Sequence, residues 1–397
     1  MENRKRNKLR NFILTILIGG AIGFLIGILT AMIEVPPEYM ILPWYSNVFI
    51  VLILYILAVG IHELGHAFSF SKNGIKMRAI FITVFLFIKE NGRWKLKLRP
   101  NNVTLIGGIA IPDVEVVKNN EDIDRLQKTY AKAILAGPLA SISLWGVLTI
   151  LSVLLMVLSP EVISSISFTV AAAITFITMF LLGSCFVKSE VAIGDFPAYE
   201  LAKRNRFFVA MQLYQYSLFS TDYETVRAGN TFLRRMLIEG LETKLEEKDI
   251  HIYTLGLIDQ LVTEYLSDTL KELPQVVWNY IDFLTEDQER LAKLQSTELS
   301  LGVYFHIIQL LYTRKETKEK AIHFYTTIKN ELKPSTTMRI YLLKQTEHAL
   351  GLHDNSAFLN DKNNICISPA HGIWKNFDGY FDDELKLNQD RSAIQAL

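Results

Sequence analysis

The sequence predicts an α-helical multi-pass membrane protein with about four transmembrane helices, a small β-hairpin or sheet between two of them, and an all-α domain after them. Three observations carry that reading. Half of the 397 residues are hydrophobic and 21% are charged, too apolar for an average soluble protein and too charged for one that is all membrane. Long apolar runs occur only in the first half of the chain. From about residue 200 the pattern turns polar, with aromatic residues and leucines at helical spacing.

Four runs, at 12–33, 45–70, 133–158 and 163–187, reach the length of about 20 apolar residues that a bilayer requires. The first follows the basic stretch MENRKRNKLR but is too long for a signal-peptide core and lacks an A-x-A cleavage site, so it reads as a retained anchor. Gly19, Gly23 and Gly27 put a smooth stripe on one of its faces, against which another helix can pack closely. Basic residues crowd the N-terminus and the segment from Lys72 to Lys128, whereas the loops at 34–44 and 159–162 have none, which places both chain ends in the cytoplasm. The second span then runs inward. The expected organisation is a basic tail, anchor and outer loop at 1–44, a core at 45–200, a cytoplasmic helical domain at 201–353 and a loop-rich tail at 354–397.

Between the second and third spans, Asn91-Gly92 is a strong hairpin signal, flanked by an apolar strand over 79–88 and by the alternating Trp94, Lys95, Leu96, Lys97 and Leu98. A further strand is expected at 103–111. By periodicity alone, 79–88 also reads as a re-entrant apolar segment. In the polar half, the stretch LLYTRKETKEKAIHFYTTI resembles a tetratricopeptide-type helix pair without a clear 34-residue repeat, so a peptide-binding solenoid and a plain helical bundle both stand.

The chemistry lies at residues 58–70, AVGIHELGHAFSF, where two histidines and a glutamate interrupt an apolar span. Ionisable groups at membrane depth cost several kcal/mol each and persist where they face a cavity, a partner or a metal. His62 and His66 are one helical turn apart on one face and can share a small cation. Zinc suits two imidazoles, a third protein ligand and an open position for water. Glu63 then stands beside that water as general base and later as acid to a leaving amine, which is peptide-hydrolysis chemistry. The stretch KSEVAIGDFPAYE after the last span offers Asp195 as third ligand, with Glu190 and Glu200 as competitors, and a G-D-F-P aspartate also serves as a helix cap.

HELGH at a span's end, AGPLAS at 136–141 and Gly194-Asp195 after the next span together resemble the site-2 proteases, intramembrane zinc metalloproteases, over about residues 45–200. The resemblance implies zinc on His62, His66 and Asp195, with Glu63 as catalytic acid and base. It also implies a sheet beside the metal on which an unwound substrate adds as a strand, with Gly107 and Gly108 permitting close approach. Gly137, Pro138 and Ser141 fall where the family positions substrate. Two positions depart from the family pattern: Phe196 follows the aspartate where glycine is usual, and Ser141 stands where an asparagine often closes the AGP motif. The implied setting is a bacterial cell membrane, and the implied partners are the lipid bilayer, a membrane-embedded peptide or single-span protein as substrate, and a peptide or protein on the helical domain.

Other classes fare worse. Zero formal net charge argues against a nucleic-acid binder. The two distant cysteines form neither a disulfide framework nor a thiolate zinc site. No phosphate loop or G-x-S-x-G motif occurs, and a single His-xxx-His pair is too few for a di-iron lipid desaturase. The remaining alternative is a non-catalytic membrane scaffold whose helical domain binds a partner.

Overall fold

The structure is a computed structural model that describes residues 39, 41–98, 107–189, 192–368 and 374–389. The expected first span and its glycine stripe lie outside the described residues. Three described helices are long and apolar enough to cross a membrane: α1 (Trp44–Lys72), α2 (Asn120–Leu158) and α3 (Glu161–Cys185). At 1.5 Å per residue α1 is about 43 Å long, more than the ~30 Å of hydrocarbon, so it has length left over for a polar end. α2 starts well before the apolar run at 133. The Asn119 side chain caps its first turn by accepting from the Asp122 N–H at 2.9 Å, and Glu121 and Asp122 complement the helix dipole.

The described residues divide into two compact units. One holds the residues up to Leu57 and Ser143–Met179. Inside it, the buried Ser165 donates to the Tyr39 carbonyl at 2.8 Å and the half-buried Thr169 to Asn47 at 3.0 Å. Phe49, Leu52, Val147 and Ile150 stay exposed, as suits a surface that faces lipid tails.

The other unit, Ala58–Ile142 with Phe180 onward, contains the sheet and the polar helices. Strands β1 (Met77–Ile82), β2 (Phe85–Glu90), β3 (Arg93–Leu98) and β4 (Gly108–Pro112) form an antiparallel sheet in the order β3-β2-β1-β4. The expected hairpin forms at Asn91-Gly92, both at positive φ, as a two-residue turn of that type requires. The single apolar strand expected over 79–88 is instead two strands reversing at Thr83, whose φ is +52°. No glycine, proline or asparagine marks that turn. The pairing of β1 with β2 and β4 supplies what the sequence does not signal.

The helices that follow are α4 (Asp195–Arg204), α5 (Arg206–Ser217), α6 (Tyr223–Gly229), α7 (Thr231–Glu246), α8 (Ile252–Leu266), α9 (Gln275–Glu286), α10 (Gln288–Ser296), α11 (Glu298–Tyr312), α12 (Lys318–Glu331), α13 (Thr337–Ala349) and, after a single turn at Ser356–Leu359, α14 (Asp378–Gln389). α11 is buried along most of its length and packs on α8, α10, α12 and α13. α14 returns against α8, a contact between distant segments that a one-dimensional repeat stack does not make. Residues 378–389 are thus a docked helix where a loop-rich tail was expected. Asp383 on α14 pairs with Arg227 at 2.8 Å, and Arg227 reaches Glu264 at 3.3 Å. Asp113, just past β4, accepts from Ser220 and Thr221 at 2.7–2.9 Å, and Arg78 of β1 donates to the Phe219 carbonyl at 3.0 Å, so sheet and helices share one polar seam.

Candidate metal centre

His62, Glu63 and His66 lie in the last three turns of α1, where the helix enters the second unit. The one-turn spacing holds in space: the His62 and His66 Nε2 atoms are 3.2 Å apart. Asp195 is the first residue of α4, after the extended Gly194, and its Oδ2 lies 3.0 Å from His62 Nε2 and 3.7 Å from His66 Nε2. Among the described residues these three side chains form a cluster whose ligand atoms lie within 4.8 Å of one another. Glu200, a competitor by sequence, faces away in an ion pair with Arg204 at 3.1 Å, and Glu190 lies outside the described residues.

The outer nitrogens fix how the inner ones behave. His66 Nδ1 lies 2.8 Å from the Ala133 carbonyl, which can only accept, so Nδ1 carries the proton and Nε2 presents a lone pair. His62 Nδ1 lies 2.9 Å from the buried Ser141 hydroxyl, which can take its proton likewise. The Cys185 thiol donates to the Asp195 carboxylate at 3.3 Å. With His62 in that tautomer, two lone pairs and a carboxylate oxygen converge with no hydrogen between them. Such a set repels itself unless a cation sits in its midst, and two nitrogens with one oxygen are a donor set that zinc takes while leaving a position open.

Close approach is built in by glycine. A Cβ at Gly137 would overlap the His66 ring, and one at Gly108 would overlap Glu63 and come 2.6 Å from the Phe81 carbonyl. Glu63 is 6% exposed and packs against Gly108 of β4. β4 pairs only with β1 among the described strands, so its other edge is open.

A cavity of about 410 Å³ joins these parts, lined by His62, Glu63, His66 and Asp195 and by Gly107 and Gly108. Gly137, Pro138 and Ser141, expected to position substrate, do not line it. Gly137 and Ser141 instead touch the two histidines, and Pro138 sits inside α2, where it has no N–H for the Ile134 carbonyl. Sequence reasoning missed the far wall, formed by Gln212, Tyr216 and Tyr253 of the polar helices. Burial pushes the Tyr216 phenol up to about 12, so it is a neutral donor. Its only sequence signal is an aromatic stripe, VAMQLYQYSLF, that any helix core shares.

A model of peptidase family M50 matches residues 48–337. The chain belongs to that family. It is the site-2 protease family, and the match covers most of α1, the sheet and most of the polar helices, so this M50 peptidase is a metallopeptidase by membership, with three helices in the matched region long and apolar enough to cross a membrane. No curated protein and no solved structure matches the chain.

Proposed function

We propose that this M50 peptidase is an intramembrane zinc protease that hydrolyses a peptide bond of a membrane-embedded peptide or single-span protein near the cytoplasmic face. One observation carries the reading: the inward nitrogens of His62 and His66 and the Asp195 oxygen converge within 4.8 Å of one another beside the buried Glu63. When bound there, a zinc ion would acidify water and polarise the scissile carbonyl. His62, His66 and Asp195 hold it, and Ser141 and the Ala133 carbonyl orient the two imidazoles. Glu63 takes a proton from the attacking water as the C–O bond forms and returns it to the amine nitrogen as the C–N bond breaks. The open edge of β4 receives the substrate as an added strand, exposing a carbonyl that a helix would hide.

The test is the zinc content of detergent-purified protein together with cleavage of a panel of fluorescence-quenched transmembrane peptides. About one zinc per chain, retained in Glu63→Gln but lost in Asp195→Ala, with cleavage abolished in both, supports the assignment. Wild-type protein that holds no zinc would overturn it and leave a scaffold.

A further inference from the structure

A second cavity, also about 410 Å³, adjoins the first, and the two share Ile109, Gln212, Tyr216 and Tyr253. Ile109 belongs to β4, so a strand added beside β4 runs past Gly108 and Glu63 and alongside a residue that lines the second cavity. At the boundary, the Gln212 side-chain nitrogen is buried with no hydrogen-bond partner among the described residues. A buried N–H₂ without an acceptor is costly, and a peptide carbonyl passing at that point would satisfy it.

The second cavity is acidic. Asp259, Asp383 and Glu384 line it, and no lysine or arginine does so among the described residues. The cations nearby are already engaged: Arg227 holds Asp383 and Glu264, Arg234 holds Glu264 at 3.3 Å, and His306 sits 2.8 Å from Asp259 and 3.4 Å from Glu384. Four carboxylates thus face two guanidiniums and one imidazole. Asp259 is the most exposed of the three lining acids, its side chain at 28% against 9% for Asp383 and 1% for Glu384. The cytoplasmic flanks of membrane spans are enriched in lysine and arginine, so a substrate drawn in from that side brings the complementary charge.

We propose that this second cavity is a substrate subsite, which takes an extended cytoplasmic-side segment of the substrate and reads a lysine or arginine in it through Asp259 and its neighbouring carboxylates. The proposal rests on the protease reading for the identity of the peptide. Binding is measured without turnover, so the two fail separately.

The experiment uses the zinc-loaded full-length chain in detergent and two fluorescein-labelled 12-residue probes of serine, alanine and leucine, one with three arginines and the other with glutamines in their place. The arginine probe is expected to bind at least fivefold more tightly. In Asp259→Asn, whose amide oxygen can still accept from His306, the preference is expected to fall within twofold, and likewise in Gln215→Lys, which adds a positive charge to the cavity wall. Melting temperatures are compared first, and if one variant is destabilised the other decides. Equal affinity of wild type for both probes, or a preference that survives in a normally folded variant, would overturn the subsite. Arginine-selective binding without any peptide cleavage would overturn the protease reading alone.

Discussion

Gly137→Ala tests the metal centre without touching a ligand. The residue lies inside α2, where alanine is ordinarily favoured over glycine by about 1 kcal/mol. Here the new methyl would occupy the space of His66 Cε1 and Nε2, and that ring cannot retreat freely, because its Nδ1 is tied at 2.8 Å to the Ala133 carbonyl, one turn earlier on the same helix. Overpacking of this kind costs roughly 1–3 kcal/mol, enough to reverse the helix preference. Displacing a ligand from its orienting partner costs about 10–100-fold in metal affinity. Gly146, two turns and a half further along α2, has nothing within 4 Å of an added Cβ and serves as the control. The assay is zinc competition against a chelator of known affinity, with melting in detergent recorded alongside. Gly137→Ala is expected to lose zinc affinity by at least tenfold and to melt lower, while Gly146→Ala keeps both. Wild-type zinc affinity in Gly137→Ala would refute the packing argument and, with it, the placement of His66 as a ligand.

Three further outcomes are expected. Ser141→Ala removes the acceptor at His62 Nδ1 and should weaken zinc binding by about tenfold or more, read by the same competition, while Glu63→Gln leaves it unchanged. Arg227→Ala leaves Asp383 buried without its guanidinium, while Glu264 keeps Arg234 at 3.3 Å, and should destabilise the chain by roughly 3 kcal/mol in denaturant or thermal unfolding. His306 is desolvated, yet Asp259 and Glu384 hold it charged and raise it to about 10. Its folded value lies above the unfolded one, so its stabilisation is complete below about pH 6.5 and is lost as pH rises through about 10. The melting-temperature gap between wild type and His306→Gln should therefore shrink between pH 6 and pH 10.5, and a constant gap would contradict the charged pair.

Much of the site could be read from sequence because its chemistry is local. HELGH fixes two imidazoles on one helical face by spacing alone, and the apolar run around it announces that the charge is tolerated for a reason. Asp195 was legible only as one of three acids, since bringing it within 3.0 Å of His62 is the work of the fold. The hairpin at Asn91-Gly92 carries its own turn chemistry, whereas the reversal at Thr83 is imposed by strand pairing on a residue that signals nothing. His306 looked like any helical histidine, because its partners Asp259 and Glu384 lie on other helices. α14 was hidden in an acidic stretch whose apolar face is short and whose anchor, Arg227, is far away in sequence.

The wall formed by Gln212, Tyr216 and Tyr253 changes what the polar half of this protein is. It has the look of an appendage that follows a self-sufficient membrane core, yet three of its side chains line the same chamber as Glu63. A chain ended after Arg204 keeps the proposed zinc ligands and the proposed general base, but it has lost this wall and the acidic recess beside it. The helices that bear on the chamber are therefore α5 and α8, whose residues line it, and not α9, α10 and α12, whose residues line neither cavity. A substitution in the inner pair reaches the chamber that holds Glu63.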